Sequence, residues 1–110
     1  MVYSGDVNKA TTTSFNYNTS RIAECPGRFY LIIFGTGSTD LQGQITSACN
    51  TKLNYISVET SYKCTIYSRN ITIDETNKRF TTGTGYYWRN NATTAGDYCH
   101  IYQIYVIGWN

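Results

Sequence analysis

Two stretches of this chain are apolar on both faces of an extended backbone, which narrows its folding options more than any other feature. Arg28 to Gly35 reads RFYLIIFG, and Tyr98 to Ile107 reads YCHIYQIYVI close to the end of the sequence. Successive side chains of a strand point to opposite faces, so such a run needs cover on both sides. Neither run approaches the length of a membrane-spanning helix. Tyr, Thr, Asn and Ser dominate the chain, whereas Ala, Leu, Glu and Lys are sparse, so pleated strands are favoured over helices. Each run is therefore expected to be a strand central in a sheet or between layers. A sandwich buries one face of each sheet, and the other face must meet a loop layer or another subunit.

The remaining chain alternates at strand period. Phe15 and Tyr17 share a face after a Thr run, and Leu41, Gly43 and Ile45 alternate with Gln42, Gln44 and Thr46. Leu53 to Glu59 alternates again. Tyr62, Cys64 and Ile66 share a face, and Arg69-Asn70 separates them from a second short strand with Ile71 and Ile73. Phe80 to Trp88 reads as one further strand passing through two glycines. Turn chemistry marks Cys25-Pro26-Gly27, Gly35 to Asp40, Asn50 to Lys52, Asp74 to Arg79 and Asn90 to Asp97. The expectation is an all-β fold, an antiparallel β-sandwich or jelly roll of about eight short strands with little or no helix. At 110 residues it forms one domain, spanning 11–110, behind a leading segment or linker at 1–10 that lacks apolar periodicity.

The net charge is +2 and the basic residues are scattered, with only Lys78 and Arg79 adjacent. Nucleic-acid binding calls for a dense basic face, so it is not expected. Met1-Val2-Tyr3-Ser4 leads straight into polar residues, and no signal peptide or membrane insertion is expected. Either the protein is assembled inside a cell, or Met1 replaces a removed leader. Cys25, Cys49, Cys64 and Cys99 are widely spaced with no C-x-x-C pair, which argues against a structural zinc site. They are disulfide candidates of open pairing, or buried free thiols.

No catalytic pattern stands out. His100 is the only histidine, and its neighbour Cys99 would point to the opposite face of a strand, so the two cannot easily share a proton. Glu24 and Glu59 are not marked by sequence as a facing pair of the kind glycoside hydrolysis needs. Gly35-Thr36-Gly37 lacks the Lys-Ser/Thr of a phosphate loop, and no G-x-S-x-G elbow occurs. No metal or cofactor is implied. Asn18, Asn70 and Asn91 head N-x-S/T sequons, in agreement with surface turns.

Binding chemistry is concentrated in GTGYYWRNN, residues 83–91. Tyr and Trp offer rigid amphipathic area, and sugar recognition commonly sets an aromatic ring against a pyranose while amides and carboxylates reach its hydroxyls. Tyr86, Tyr87, Trp88, Arg89, Asn90, Asn91 and Asp97 hold that inventory. Strand parity divides it. Tyr86 and Trp88 share one face and are expected to fill the core, although stacking is the other option. Tyr87 and Arg89, with Asn90, Asn91 and Asp97, are then the expected contact edge.

The Thr-rich lead into paired aromatics, CPGRFYLIIFGTGS, the short Gly/Ser-separated strands and the closing IYQIYVIGW together resemble the receptor-binding tip domains of phage tail fibres, including compact tumour-necrosis-factor-like jelly rolls. The resemblance covers roughly residues 11–110 and carries no diagnostic motif, so no site residue is transferred by it. It implies a homotrimeric, non-enzymatic adhesin of a virion tail fibre that contacts a bacterial surface glycan or protein, three copies compensating for weak single sites. The four cysteines depart from it. The rival expectation is a secreted, disulfide-linked β-sandwich, either a lectin or the glycan-binding subunit of a toxin. A third is a structural component of a capsid, pilus or fibre.

Overall fold

A computed structural model describes the chain except for Arg21, Cys25, Pro26, Ala48, Cys49, Tyr62, Trp109 and Asn110, and for Ala23 describes the backbone alone. Among the described residues there are ten strands: β1 Tyr3–Val7, β2 Thr11–Ser14, β3 Phe29–Gly37, β4 Asp40–Thr46, β5 Asn50–Thr60, β6 Lys63–Asp74, β7 Arg79–Thr82, β8 Tyr86–Arg89, β9 Ala92–Ala95 and β10 His100–Ile107. A short 3-10 turn, Ile22–Glu24, is the helical element. All pairings are antiparallel. They form a four-stranded sheet in the order β1-β10-β3-β4 and a six-stranded sheet in which β5 flanks β6 beside the path β2-β7-β6-β8-β9. The all-β sandwich expected from the sequence is the fold, with more strands than expected.

Its core follows from the two apolar runs. Tyr30, Ile32 and Phe34 of β3 and Ile101 and Ile104 of β10 turn inward from the four-stranded sheet. Leu53, Ile71, Ile73 and Phe80 meet them from the other sheet, and all nine are buried. Phe80 packs edge-on against Tyr3 at 4.9 Å between ring centroids and stacks with Phe15 at 6.3 Å. Buried aromatic pairs of this kind add on the order of 1 kcal/mol beyond the area they bury.

Several sequence expectations are corrected. Residues 1–10 are not a linker: β1 pairs with β10, and Val2, Tyr3 and Val7 belong to the core. Three apolar anchors spaced across a Gly-Asp interruption have no regular period, which hid the strand. Asn50–Lys52 is not a turn but the start of β5. Lys63–Asp74 is one strand rather than two, and Asn70 lies within it rather than in a turn. The break falls instead at Gly83-Thr84-Gly85, dividing the expected Phe80–Trp88 strand into β7 and β8, both of which pair with β6 along the same edge. Asn90-Asn91 is a two-residue hairpin turn followed by β9 rather than a long polar loop. The Cys25-Pro26 part of one expected turn lies outside the described residues, whereas Gly27 has the positive φ of 60° that a turn glycine supplies.

The outer faces of the two sheets differ. On the four-stranded sheet, Leu31 and Ile33 of β3, Leu41 and Ile45 of β4, and Tyr105 and Ile107 of β10 share the face turned away from the core. Ile45 is 62 % exposed, and the ionisable pair His100–Asp6 lies at the Leu41 end of this face. The molecule measures 45 × 27 × 23 Å, in keeping with the long β5–β6 hairpin.

Candidate functional site

The hairpin β8–β9 sets the site, and the sequence explains its local shape. Asn90 and Asn91 have φ of 53° and 60°, between the paired residues Arg89 and Ala92. Two successive left-handed residues match the right-handed twist of a tight hairpin, and Asn tolerates that region better than most residues. The ladder between β6 and β8 stops at Ile66↔Trp88, although β6 itself begins at Lys63. The start of β6 therefore faces the Asn90-Asn91 turn across a notch. This notch is a cavity of about 590 Å³ reached by Glu59, Lys63, Cys64, Trp88, Arg89 and the two Asn residues.

The triplet is divided between two faces as strand parity requires, but in the reverse sense to that expected. Tyr86 and Trp88 are not core: they are 43 % and 37 % exposed on the outer face of the six-stranded sheet, beside Ile66 and Ser68 of β6. Tyr87 faces inward, where its ring lies 5.5 Å from Tyr98 and 6.4 Å from Tyr67 in tilted and edge contacts. The register sets this: Tyr87 pairs with Tyr67 on the side of β6 that carries buried Thr65 and Arg69, so Tyr86 and Trp88 take the other side. The inward face there is closed by tyrosines rather than by aliphatic core. Trp88 is thus available for contact, and a second cavity of about 370 Å³ lies on its other side, reached by Lys52, Asn54, Ile66, Ser68, Tyr86 and Thr93.

Arg89 lies over the Tyr87 ring at 6.0 Å and donates from Nε to Thr65 Oγ1 at 3.1 Å. Thr65 in turn donates to Glu59, whose carboxylate is 3.8 Å from the Arg89 guanidinium. Glu59 is thereby held on the inward side of the notch by Arg89 and Thr65. Among the described residues Lys63 has no salt bridge or side-chain hydrogen bond, and it lines the cavity.

Asp97 does not join this site. Its carboxylate accepts a hydrogen bond from Arg69 at 2.9 Å, and the Arg69 side chain is wholly buried. The Arg69 guanidinium also donates to the carbonyl oxygens of Cys99 at 2.8 Å, Gly83 at 2.7 Å and Asn8 at 3.0 Å. It ties together the chain before β2, the β7–β8 break and the approach to β10. The two glycines of the motif serve this clasp. A Cβ on Gly85 would come within 2.7 Å of an Arg69 nitrogen and 2.5 Å of the Gly96 carbonyl oxygen. Sequence reasoning treated Arg69 as one of several scattered cations. The available signal was its parity with Tyr67, Ile71 and Ile73, which places an arginine in the middle of a buried face.

Cys64 and Cys99 are free thiols, so these two disulfide candidates are unpaired; Cys25 and Cys49 lie outside the described residues. Burial pushes the Cys99 thiol up to about 11, which keeps it protonated and unreactive, whereas Cys64 is part-exposed at the notch. His100 bonds Asp6 at 2.7 Å and stacks on Tyr102, so it joins β1 to β10 on the surface, pointing away from the buried Cys99. Among the described residues no cluster of His, Cys, Asp and Glu could hold a metal ion. What the notch can do chemically is bind: an indole face, two amides on a rigid turn, a free ammonium and a charge-paired carboxylate converge there. The sequence matches no protein-family model and no curated protein, and the fold matches no solved structure.

Proposed function

We propose that this chain is a non-enzymatic receptor-binding domain of the phage fibre-tip kind, recognising a glycan on a bacterial surface. One observation carries the reading: Trp88, exposed in a single strand, borders a notch furnished with Asn90, Asn91 and Lys63. Stacking on an indole, with amides positioned for ring hydroxyls, is the chemistry a pyranose needs. A rigid two-residue turn presents those amides at low entropic cost.

The apolar patch on the outer face of the four-stranded sheet, bordered at one end by the Asp6–His100 pair, supports self-association. Three strands about 4.8 Å apart, each about seven residues long at about 3.3 Å, give a footprint on the order of 300 Å². That is less than the roughly 800 Å² per partner of a stable pair, so a trimer through this face would have to bury flanking edges as well. Such a trimer would use one sheet for assembly and leave the notch on the other sheet open for multivalent contact. The free thiols of Cys64 and Cys99 count against a fully disulfide-linked secreted lectin.

Two measurements test the reading. Wild type should bind a bacterial surface-glycan array, and Trp88→Ala should abolish the signal; an array blank for wild type, with a partner subunit recovered instead, would replace adhesion with a structural role. Light scattering should give a trimer mass, reduced to a monomer by Ile45→Lys, which adds a charge at an already exposed position. A wild-type monomer would sink the trimer.

A further inference from the structure

The chemistry on either side of Trp88 narrows the ligand further, on the premise that the domain binds glycans at this notch. Trp88 stands between the two cavities, with Tyr86 two residues away on the same face. Side chains at that separation are about 7 Å apart along a strand, so the two rings form a track longer than one sugar. The polar groups along the track are unequal in charge. Lys63 stands at the first cavity and Lys52 at the second, and neither ammonium has a side-chain partner among the described residues. Glu59 is the one carboxylate among the residues that reach the two cavities, and Arg89 offsets it. Each cavity is therefore left with about one unpaired positive charge.

We infer that the six-stranded sheet takes a linear acidic glycan of two or more units that runs along its outer face past Trp88 and over the strand end into the notch, its carboxylates meeting Lys52 on that face and Lys63 in the notch. One unpaired ammonium per cavity matches a singly charged group such as a sugar carboxylate, whereas a phosphate monoester carries about −1.5 to −2 at neutral pH and would be left undercompensated. Single-stranded nucleic acid also combines stacking with anions, yet it needs a cationic groove tracking every phosphate, and two separated lysines do not form one. Asn54, Ser68 and Thr93 line the second cavity and suit sugar hydroxyls. The carboxylates would be held as exposed ion pairs, which salt screens strongly.

Titration calorimetry against oligosaccharides of galacturonic, glucuronic and sialic acid, each beside its carboxyl-reduced form, tests the inference. At least one acidic series should bind, losing about tenfold on carboxyl reduction. Lys63→Gln and Lys52→Gln should each cost a similar factor with unchanged thermal melting, and raised salt should erase the preference. Alkylation of Cys64, read at the peptide level, should slow when that glycan is present, because the thiol lines the first cavity. Equal binding of reduced and acidic forms, or unaltered binding by both lysine variants, overturns the acidic ligand while leaving glycan recognition standing. Tighter binding of oligo-dT than of any acidic glycan also overturns it. If neutral and acidic glycans alike fail to bind, both this inference and the adhesive function fall.

Discussion

Two arginines twenty positions apart on the same face of the six-stranded sheet have opposite duties. The Arg69 side chain is wholly buried and gives its guanidinium to three backbone carbonyls and Asp97, whereas the Arg89 side chain is 50 % exposed with one hydrogen bond and a 3.8 Å ion pair. Coulomb attraction is several times stronger in the low-dielectric interior than at the surface, but a buried charge must have every proton satisfied. Arg69 meets most of that condition, with four hydrogen bonds for five N–H groups and every nitrogen engaged, and three segments of chain are organised around it. Arg89 is half exposed at the notch, so water screens it and its interactions are individually weak. The same residue type is a structural clasp in one region and a part-exposed wall of the notch in the other because of what lies across from it.

The largest effect should come from breaking the clasp. Arg69→Met leaves three carbonyls and the Asp97 carboxylate without their donor, and urea unfolding should show a loss of about 3–5 kcal/mol. If stability were unchanged, the contrast between the two arginines would be void. Next, alanine at Tyr87 should cost about 2 kcal/mol, since its ring packs between Tyr67 and Tyr98 in a half-buried site. Alanine at Trp88, whose ring is 37 % exposed, should cost about 1 kcal/mol, less than alanine at Tyr87, and remove binding. The reverse order would return Trp88 to the core and end its role as a contact.

Gly85→Ala sharpens the comparison from the side of the backbone. A methyl group would press on Arg69 and on the Gly96 carbonyl, and a loss of about 1–3 kcal/mol is expected, measured by the same denaturation. The smallest effect is one of pH. Arg28 donates to the Glu75 carboxylate, as does the Tyr30 hydroxyl at 2.9 Å, and these bonds hold its pKa below the ordinary 4.5. The native state thus binds this proton less readily than the unfolded chain, so the associated stability is complete above pH 4.5 and declines as pH falls through the lowered value. Thermal melts of Glu75→Gln should show a shallower decline across that acid range. A residual slope should remain from Asp74, lowered mainly by its hydrogen bonds from Asn77. An unaltered profile would show that the Arg28–Glu75 contact contributes nothing.

Much of the fold was legible along the chain, because the signals concerned are local. RFYLIIFG and YCHIYQIYVI became neighbouring strands in one sheet, paired from His100↔Gly35 to Ile107↔Phe29. DETNKR became a hairpin turn, with Lys78 in the left-handed region at φ 53°. The misread break in β6 shows where such reading ends. Arg69-Asn70 looks like an interruption only if a charge in a strand must be solvated, and the carbonyls that satisfy Arg69 come from Asn8, Gly83 and Cys99.

The candidate site divides the same way. Its residue inventory at 86–91, the turn and the opposite orientations of Tyr87 and Trp88 follow from covalent geometry and strand period, which any single chain displays. Which of those two faces is covered depends on the register with β6, and strand period carries no information about that. Asp97 illustrates the point: nearby in sequence it belongs with the binding residues, yet a buried arginine from another strand claims its carboxylate. Lys63 and Glu59 join the notch from a hairpin more than twenty residues earlier, brought there by the β6–β8 ladder. Period and turn chemistry act between neighbours in sequence, whereas desolvation acts between neighbours in space, and in this protein the second assigns the roles.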